Sequence, residues 1–375
     1  MTELSIIGLM SGTSADGIDA SILLTDGRIM TRTGCSGHFD YRPETRQAIR
    51  ACCADPAVFL ADLAARASLD RAIAVDHAAA VQALCPDFDG SIDLIGFHGQ
   101  TVYHNANSDM QHPLGRQTIQ LGDAQYLAAA SAIDVVHNVR QADMDQGGEG
   151  APLAPVYHAA VVDAMHNLRP TVLVNIGGVA NLTCVSAADG TELIGFDTGP
   201  GNALLDDFMM SRFAVDCDHD GTLASTGSAD QTLLSRWMQH PYFQQKWPKS
   251  LDREDFVSLL TTAEFRSLAD ADAAATLTCF TAQTIAHAIG KLPVTPQSVF
   301  VAGGGRRNNT MMRYLASILP MRVITDPGDG FDADMLEAEL MAFLAARCHY
   351  RLPTSFPGTT GCRQPVSGGQ IARAR

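Results

Sequence analysis

A run of small and acidic residues, 11–19, follows the first apolar segment and reads SGTSADGID. Small residues let the backbone approach a ligand closely, and the N–H groups of such a turn can together bind an anion. Thr13 and Ser14 add hydroxyl donors, while Asp16 and Asp19 are suited to orient a hydrated Mg²⁺. A single turn of this kind more often only connects two strands. It gains weight here because similar turns follow three other predicted strands.

A carboxylate stands at the end of one of those later strands. Residues 195–202 read GFDTGPGN, so Asp197 ends the strand and a helix begins at Asn202. The N-terminus of a helix attracts phosphate, and a carboxylate held beside it in a cleft can act as a general base. Taken alone, the motif modestly favours an aspartate that only caps the turn.

A third glycine-rich turn, 303–308, reads GGGRRN and separates a predicted strand from a predicted helix. Its glycines would let a flat base or a ribose lie against the backbone. The turn lacks the G-x-G-x-x-G pattern of dinucleotide-binding proteins, and Gly290-Lys291 is followed by Leu rather than by Ser or Thr. These features disfavour a Rossmann dehydrogenase and a P-loop NTPase.

Several polar residues are candidates for contact with a substrate. His98 and Gln100 end a predicted strand, and Arg140 and Asp143 lie in a polar, glycine-rich segment near the middle of the chain. A guanidinium group suits a ligand carboxylate or amide. The alternatives are a structural histidine and a surface ion pair. Glu337, at the start of the last helix, is a candidate to order the site or to help place Mg²⁺, although carboxylates at helix starts are often simply solvated.

The apolar runs predict two similar halves. In the first half, strands are predicted over 4–10, 18–24, 92–97 and 118–121, with a helical stretch over 44–84. In the second half, the predicted strands are 171–176, 179–185, 192–196, 298–302 and 321–324, and the predicted helices start at 202 and 309 or cover 271–290 and 333–347. Each half opens with a hairpin around a glycine turn, which indicates a diverged duplication. This alternation predicts α/β layers with mainly parallel sheets, a ligand cleft between the halves, and a tail, 352–375, that returns to the first half.

The composition excludes several classes of protein. Of 375 residues, 26 are Lys or Arg and 41 are Asp or Glu, which gives a net charge of −15 and argues against a nucleic-acid partner. No apolar run approaches the roughly 20 residues of a membrane helix, and the N-terminus lacks the features of a signal peptide. Nine scattered cysteines without a C-x-x-C motif predict reduced thiols in the cytoplasm and no zinc site.

Together these motifs resemble the anhydro-N-acetylmuramic acid kinase family of the actin, Hsp70 and sugar-kinase superfamily. The matching segments are GLMSGTSADGID (8–19), HGQT (98–101), QGGEGAPLAP (146–155), NIGGVANLT (175–183), GFDTGPGN (195–202), DGTLASTG (220–227), PKSLDREDF (248–256) and VAGGGRRNN (301–309). They span almost the whole chain in the family's order. The resemblance implies an α/β, two-lobed actin-like ATPase (ribonuclease H-like) fold with a central interdomain cleft. Its lobes would be residues 1–138 with 352–375, and residues 139–351.

The resemblance also implies an activity. A cytoplasmic kinase of murein recycling would use ATP and Mg²⁺ to open 1,6-anhydro-N-acetylmuramic acid hydrolytically and to phosphorylate O6. Asp197 matches the family's catalytic aspartate, which activates the attacking water, and the products would be N-acetylmuramate 6-phosphate and ADP. The implied ATP-binding residues are Gly12, Thr13, Ser14, Ala15, Asp16, Gly17, Ile18, Asp19, Gly177, Gly178, Gly199, Gly201, Asn202, Gly303, Gly304, Gly305 and Asn308. The implied substrate-binding residues are His98, Gln100, Thr101, Arg140, Asp143 and Glu337, and Asp16 and Asp19 would hold the metal through water.

The chain departs from the family pattern on the sugar side. Where the family commonly has a D-F-R-R-R-D-like run, this chain has NVRQAD, so Asn138, Gln141 and Ala142 differ, and Glu149 replaces a usual Gln. One alternative is a conventional kinase in which Asp197 deprotonates a free amino-sugar hydroxyl. Another is an ATP-switched binding protein, which the lack of an extra client domain disfavours. The partner expected is a small amino sugar, without nucleic acid or membrane, and the resemblance also makes a homodimer an expectation.

Overall fold

Strands and helices alternate along the chain as the apolar runs predict. A computed structural model describes residues 1–12, 15–106, 112–164, 169–186, 193–251, 253–325, 332 and 334–374. Its strands are β1 (Leu4–Ser11), β2 (Gly17–Thr25), β3 (Met30–Asp40), β4 (Leu94–Asn105), β5 (Gln117–Leu121), β6 (Val135–His137), β7 (Thr171–Ile176), β8 (Val179–Val185), β9 (Leu193–Pro200), β10 (Ser298–Ala302), β11 (Arg322–Ile324) and β12 (Gln370–Ala372). Its α-helices are α1 (Pro43–Ala54), α2 (Pro56–Ala61), α3 (Leu63–Leu84), α4 (Ala124–Ser131), α5 (Gln141–Asp145), α6 (Pro155–Ala164), α7 (Ala203–Phe213), α8 (Gln231–Trp237), α9 (Ala263–Arg266), α10 (Asp270–Gly290), α11 (Asn309–Ile318), α12 (Leu336–His349) and α13 (Pro357–Thr360).

The predicted helical stretch over 44–84 is three helices. Asp55 and Asp62 interrupt it, because each side chain accepts hydrogen bonds from the backbone at the start of the next helix. The Asp55 carboxylate accepts from Val58 N–H at 3.1 Å, and the Asp62 carboxylate accepts from two N–H groups at 3.0 Å. Such N-capping favours a new helix start over continuation of the old helix.

The two units of the chain are Met1–Ala164 with Met335–Arg375, and Met165–Asp334. The first unit contains a sheet with the order β12-β6-β4-β1-β2-β3, and β5 pairs with β4 beside this path. β1, β2 and β3 pair antiparallel, whereas β1, β4 and β6 pair parallel. The sheet buries a continuous apolar core that includes the fully buried Ile7, Leu9 and Ile95.

The second unit repeats this arrangement. Its sheet has the order β11-β10-β7-β8-β9. β7, β8 and β9 pair antiparallel, and β7, β10 and β11 pair parallel. The order and direction match those of β6-β4-β1-β2-β3, which confirms the predicted duplication and the α/β, ribonuclease H-like fold. The expectation of mainly parallel sheets is wrong, because strands joined by short hairpin turns must pair antiparallel and only the longer crossovers give parallel pairs.

The unit boundaries differ from the expected 138/139 and 351/352. The helix α12 belongs to the first unit, because it lies directly on the β1–β4 part of the sheet. A Cβ at Gly8 would lie 1.8 Å from Ala338 O, and one at Gly96 would lie 2.1 Å from Met341 O. Only glycine permits this close contact of helix and sheet.

The helix α6 is tied to the first unit by a buried polar cluster. The Tyr157 hydroxyl lies 2.5 Å from Glu339 Oε2 on α12, and Arg32 Nε on β3 donates to Glu339 Oε1 at 2.8 Å. A buried carboxylate needs such partners. The tail returns to the first unit as predicted, since β12 pairs antiparallel with β6 and Ile371 lies opposite Val136.

Membrane helices and cysteines were the subject of two compositional expectations. Among the described residues, no helix combines the length and apolar character needed to cross a membrane. The nine cysteines are free thiols in the structure.

Candidate functional site

Three glycine turns, far apart in the sequence, meet in the second unit. The N–H of Asn202 donates to Gly177 O at 2.8 Å, and the N–H of Gly201 donates to Gly178 O at 2.9 Å. A Cβ on Gly305 would lie 3.0 Å from Asn202 Oδ1, which places the third turn against the second. The turns meet because β7 and β10 are parallel neighbours whose carboxyl ends lie at one edge of the sheet. We call residues 177–178, 201–202 and 303–305 the glycine cluster.

Two of these glycines cannot carry a side chain. Gly303 has a φ of +77°, and a Cβ there would lie 2.3 Å from Asn175 Oδ1. A Cβ at Gly201 would lie 2.2 Å from Gly177 O. Gly178 and Gly304, in contrast, are exposed, and the nearest atoms to an added Cβ are 3.8 Å away. The first pair therefore shapes the cluster, and the second pair presents open backbone to a ligand.

The glycine cluster also contains the start of α7. Asn202 is the N-cap residue of this eleven-residue helix, and its side chain caps no helical N–H group. The N-terminal end of a helix carries a partial positive charge and unpaired N–H groups, which together favour a phosphate. The arrangement is suited to a phosphorylated ligand.

Two predicted ATP-binding residues of this unit have structural contacts instead. Gly199 is buried, and a Cβ there would lie 2.7 Å from the side chain of Thr284. Asn308 is buried as the N-cap of α11, with its Oδ1 accepting from Met311 N–H at 2.9 Å. These contacts favour positioning roles for Gly199 and Asn308 over direct contact with ATP.

Asp197 lies at an irregularity in β9. The pairing of β8 with β9 passes from Gly199 to Asp197 and skips Thr198, which forms a bulge. A bulge redirects the neighbouring side chains and is often found beside functional sites. The bulge separates Asp197 from the buried end of the strand, and the residue is only partly buried.

Asp197 is held by three hydrogen bonds to one irregular segment, 242–251. Its Oδ2 accepts from Leu251 N–H at 2.8 Å, and its N–H donates to Lys249 O at 3.1 Å. Its carbonyl accepts the Tyr242 hydroxyl at 2.6 Å. Both the backbone and the carboxylate are thus fixed, as a general base requires.

Lys249 is a candidate functional residue that the sequence analysis did not single out. Its Nζ donates to Tyr242 O at 3.1 Å and lies 4.1 Å from the centre of the Tyr242 ring. Burial lowers the pKa of Lys249 to about 8, with Lys291 contributing, while the charge of Asp197 acts in the opposite direction. The ammonium therefore lies within electrostatic range of the Asp197 carboxylate. The only signal for Lys249 in the sequence was the segment PKSLDREDF (248–256), which matches the family pattern but assigns no role to the lysine.

We expect Lys249→Met to lower kcat/KM about tenfold, the effect of losing one charge contact of about 1.4 kcal/mol. Without the ammonium, the Asp197 carboxylate is easier to protonate, so the acid limb of the pH–activity profile should move to higher pH. In the wild-type chain, the contribution of the Lys249 ammonium to kcat/KM should be lost as the pH rises through about 8, where Lys249 deprotonates. Lys249→Arg should retain activity above that pH. Steady-state kinetics from pH 5 to 10 would measure these effects.

Lys246→Met is the matched control, because Lys246 is exposed three residues away. An unchanged pH profile in Lys249→Met would remove Lys249 from the account.

The turn between β1 and β2 is the corresponding feature of the first unit. Thr13 and Ser14 lie outside the described residues. Ala15 has a φ of +53° and donates to Gly12 O at 3.2 Å, and the exposed Asp16 accepts from Gly17 N–H at 3.0 Å. The chain therefore turns tightly, with its acidic side chain outward.

The residues after this turn differ in exposure. Ile18 is fully buried in the core, so its side chain contributes to packing and only its backbone is left for a ligand. Asp19 is partly exposed, and its Oδ1 lies 2.7 Å from His38 Nδ1. This hydrogen bond raises the pKa of His38. The two predicted metal-holding residues, Asp16 and Asp19, thus both reach solvent. Across the described residues, no three acidic, histidine or cysteine side chains form a group that could bind a metal directly.

His98 and Arg140, both predicted to contact substrate, lie against each other. His98 Nδ1 donates to Gly99 O at 2.8 Å, so its Nε2 is an acceptor, and Arg140 Nε donates to it at 3.1 Å. Burial, with the Arg140 charge, lowers the pKa of His98 to about 3. The pair is therefore a neutral imidazole bound to a cation. Arg140 also donates to Gly150 O at 2.9 Å.

The first unit contains a cavity of about 360 Å³ beside His98. Asn138 and Gln141, two of the departures from the family pattern, line the same cavity. Thr101 lies next to it and accepts from Gln120 Nε2 at 3.1 Å. The cavity is mostly lined by amides and other neutral polar groups.

Asp143 has a structural position. It is 1% exposed, and it accepts from Gly150 N–H at 2.7 Å, from Ser355 Oγ at 2.5 Å and from Thr360 Oγ1 at 2.6 Å. These bonds join Asp143 on α5 to the C-terminal segment, and its contact with the sugar stays a prediction.

Glu337 occupies the first turn of α12, and water reaches its side chain. The surrounding protein nevertheless raises the pKa of Glu337, an effect that Arg140 opposes and Asp19 reinforces. Electrostatic interaction thus links Glu337 to Arg140 on one side and to Asp19 on the other, and these residues of the first unit form one polar group.

Two α/β units that share a five-strand topology, with glycine turns beside their strands, have the arrangement of the actin-like fold. The family model described as anhydro-N-acetylmuramic acid kinase matches residues 4–374. Curated relatives of that name from Rhodopseudomonas palustris strains HaA2 and CGA009 are each 45% identical over 99% of both chains. One from Bradyrhizobium diazoefficiens is 43% identical over 99% of both chains. The chain belongs to the anhydro-N-acetylmuramic acid kinase family.

Proposed function

We propose that this kinase opens the anhydro bridge of 1,6-anhydro-N-acetylmuramic acid and transfers the γ-phosphoryl group of ATP to O6. Murein recycling is the process that would supply such a sugar. The observation that carries the proposal is the position of Asp197, a fixed carboxylate beside the bulge of β9, in the unit that holds the glycine cluster. Membership of the family over nearly the whole chain supports the choice of sugar.

The chemistry balances with one base. A water attacks C1 and gives one proton to Asp197, while the C1–O6 bond breaks. O6 takes the γ-phosphoryl group, and the bond from that group to the β-phosphate oxygen breaks, which leaves ADP. Asp197 then releases its proton to solvent. The departing O6 is captured by phosphorus, so a second carboxylic acid is not needed to protonate it, unlike in ordinary glycoside hydrolysis.

The proposed ATP contacts lie in both units. In the second unit, the exposed backbone of Gly178 and Gly304 and the start of α7 are suited to the nucleotide and its phosphates. In the first unit, the β1–β2 turn is the proposed phosphate contact. Phosphoryl transfer depends mainly on positioning and on neutralising charge, and backbone N–H groups supply this in a chain of net charge −15.

Mg²⁺ is part of the proposal. Asp16 and Asp19 offer carboxylate oxygens that reach solvent, which suits an ion that keeps most of its water shell. When bound there, the ion would neutralise negative charge on the ATP phosphates.

The proposed sugar contacts come from the polar group of the first unit. Arg140 is a partly buried cation beside a neutral His98, and such a cation suits the carboxylate of the lactyl substituent. Glu337 offers a carboxylate acceptor for sugar hydroxyls. The cytoplasmic location and the homodimer stay predictions.

An ADP-release assay with two sugars tests the proposal. We expect turnover of 1,6-anhydro-N-acetylmuramic acid, with a product whose mass equals the sum of the sugar, water and HPO₃. Because one base directs water to the face opposite O6, the first product should be the α-anomer, which NMR detects before it equilibrates. Turnover of only free N-acetylmuramic acid would instead support a conventional hydroxyl kinase.

A further inference from the structure

We propose that Gln100 is a positioning residue that holds the β1–β2 turn in its ligand-binding shape, and that it makes no contact with the sugar. The inference rests on the proposed function, because it assumes that this turn binds the phosphates of ATP. It replaces the expected role of Gln100 as a substrate contact.

The side chain of Gln100 is closed off from solvent and bonded to the turn. It is 0% exposed, and its Nε2 donates to Gly12 O at 2.9 Å. Its Oε1 accepts the Ser11 hydroxyl at 2.7 Å. A buried amide whose two ends have different partners has one orientation only, so Gln100 fixes the backbone at the start of the turn.

The same network reaches the end of the turn. Ser11 Oγ lies 3.0 Å from Gly17 O and 2.7 Å from the Tyr41 hydroxyl. Tyr41 is itself buried, and burial raises its pKa further above its usual value, so the phenol remains protonated and can donate a hydrogen bond. Ser11 Oγ is therefore within hydrogen-bond distance of Gln100 on β4, of Gly17 O at the end of the turn and of Tyr41, two residues before α1.

This arrangement fixes the described backbone on either side of the turn, at Gly12 and at Gly17. An anion-binding turn is effective when its donors are aligned before the ligand arrives, since realignment would cost free energy on binding. A sugar contact, in contrast, needs a side chain that the sugar can reach. The burial of Gln100 is consistent only with the first role.

Gln100→Glu is the most direct test, because it keeps the shape and replaces the donor to Gly12 O by an oxygen. We expect the KM for ATP to rise about tenfold or more and the KM for the anhydro sugar to change less than about twofold. Gln125→Glu, on the exposed surface of α4, adds the same charge away from the turn and should match the wild type. Tyr41→Phe removes one hydroxyl of the network and should raise the KM for ATP about threefold.

Calorimetric titration with a non-hydrolysable ATP analogue gives the same comparison without turnover. The titration therefore tests Gln100 even if the wild-type chain does not turn over the proposed sugar. Such a lack of turnover would overturn the proposed function but not the inference about Gln100. Thermal unfolding shows whether Gln100→Glu folds. If it does not fold, the affinity of Tyr41→Phe for the ATP analogue decides the question. A raised KM for the sugar with an unchanged affinity for the analogue would overturn the inference, and so would unchanged values for both ligands.

Discussion

Asp197→Asn is expected to bind ATP as the wild-type chain does and to lose about 10²- to 10⁴-fold in kcat, the usual contribution of a general base. The amide keeps the size of the side chain and can still accept from Leu251 N–H, which holds Oδ2 at 2.8 Å. It cannot take a proton from water at neutral pH. The bonds from Tyr242 and Lys249 involve the backbone of residue 197 and are unaffected. Calorimetry for ATP and single-turnover kinetics for the sugar would separate binding from chemistry.

Asp216→Asn is the matched control, because Asp216 is an exposed aspartate of the same unit. It should retain normal kcat. A kcat near the wild-type value in Asp197→Asn would show that another group activates the water, and the proposed mechanism would then be wrong.

Gly303→Ala is expected to destabilise the second unit and to abolish most ATP binding. With a φ of +77° and a ψ of 174°, Gly303 lies in a backbone region that essentially only glycine adopts, which costs an alanine about 1–3 kcal/mol. A Cβ at 2.3 Å from Asn175 Oδ1 also forces the turn away from β7. Overpacking of this kind adds about 1–3 kcal/mol. Because the 303–305 turn lies against Asn202, its displacement also disturbs the start of α7. Denaturant unfolding gives the loss of stability, and titration with ATP gives the loss of affinity.

Gly304→Ala controls for the added methyl group, since its Cβ would meet no atom closer than 3.8 Å. We expect it to unfold at the wild-type denaturant concentration. If Gly303→Ala were as stable as Gly304→Ala and bound ATP normally, the glycine cluster would not have the tight geometry described above.

Much of the fold follows from local sequence. The hairpins and the strands that carry the glycine turns are continuous apolar runs, and their starts were predicted closely. β4 and β9 continue past their predicted ends, 97 and 196, to Asn105 and Pro200. The strand β3 was not predicted, because its sequence, MTRTGCSGHFD, is mostly polar residues and glycine and contains no apolar run. β6 and β12 were also missed, since three-residue strands have no periodicity to detect. Their existence depends on pairing with distant strands.

The candidate site was predicted in part. The residue types at the glycine turns indicate an anion-binding function, and the structure brings those of the second unit together. Which polar residue faces a ligand could not be predicted, because burial depends on tertiary packing. Asp143 and Gln100 were expected at the sugar and are instead buried, with their polar atoms bonded to the protein. Lys249 was missed for the related reason that its proximity to Asp197 arises from an irregular segment some fifty residues later.

Turnover in H₂¹⁸O tests the central claim most directly. If Asp197 directs water to C1 while O6 captures the phosphoryl group, mass spectrometry of the product should find one ¹⁸O at C1 and none in the phosphate or at O6. A sample of product incubated in the labelled water without enzyme corrects for exchange at C1. Label in the phosphate group, or an unlabelled C1 oxygen, would contradict the account.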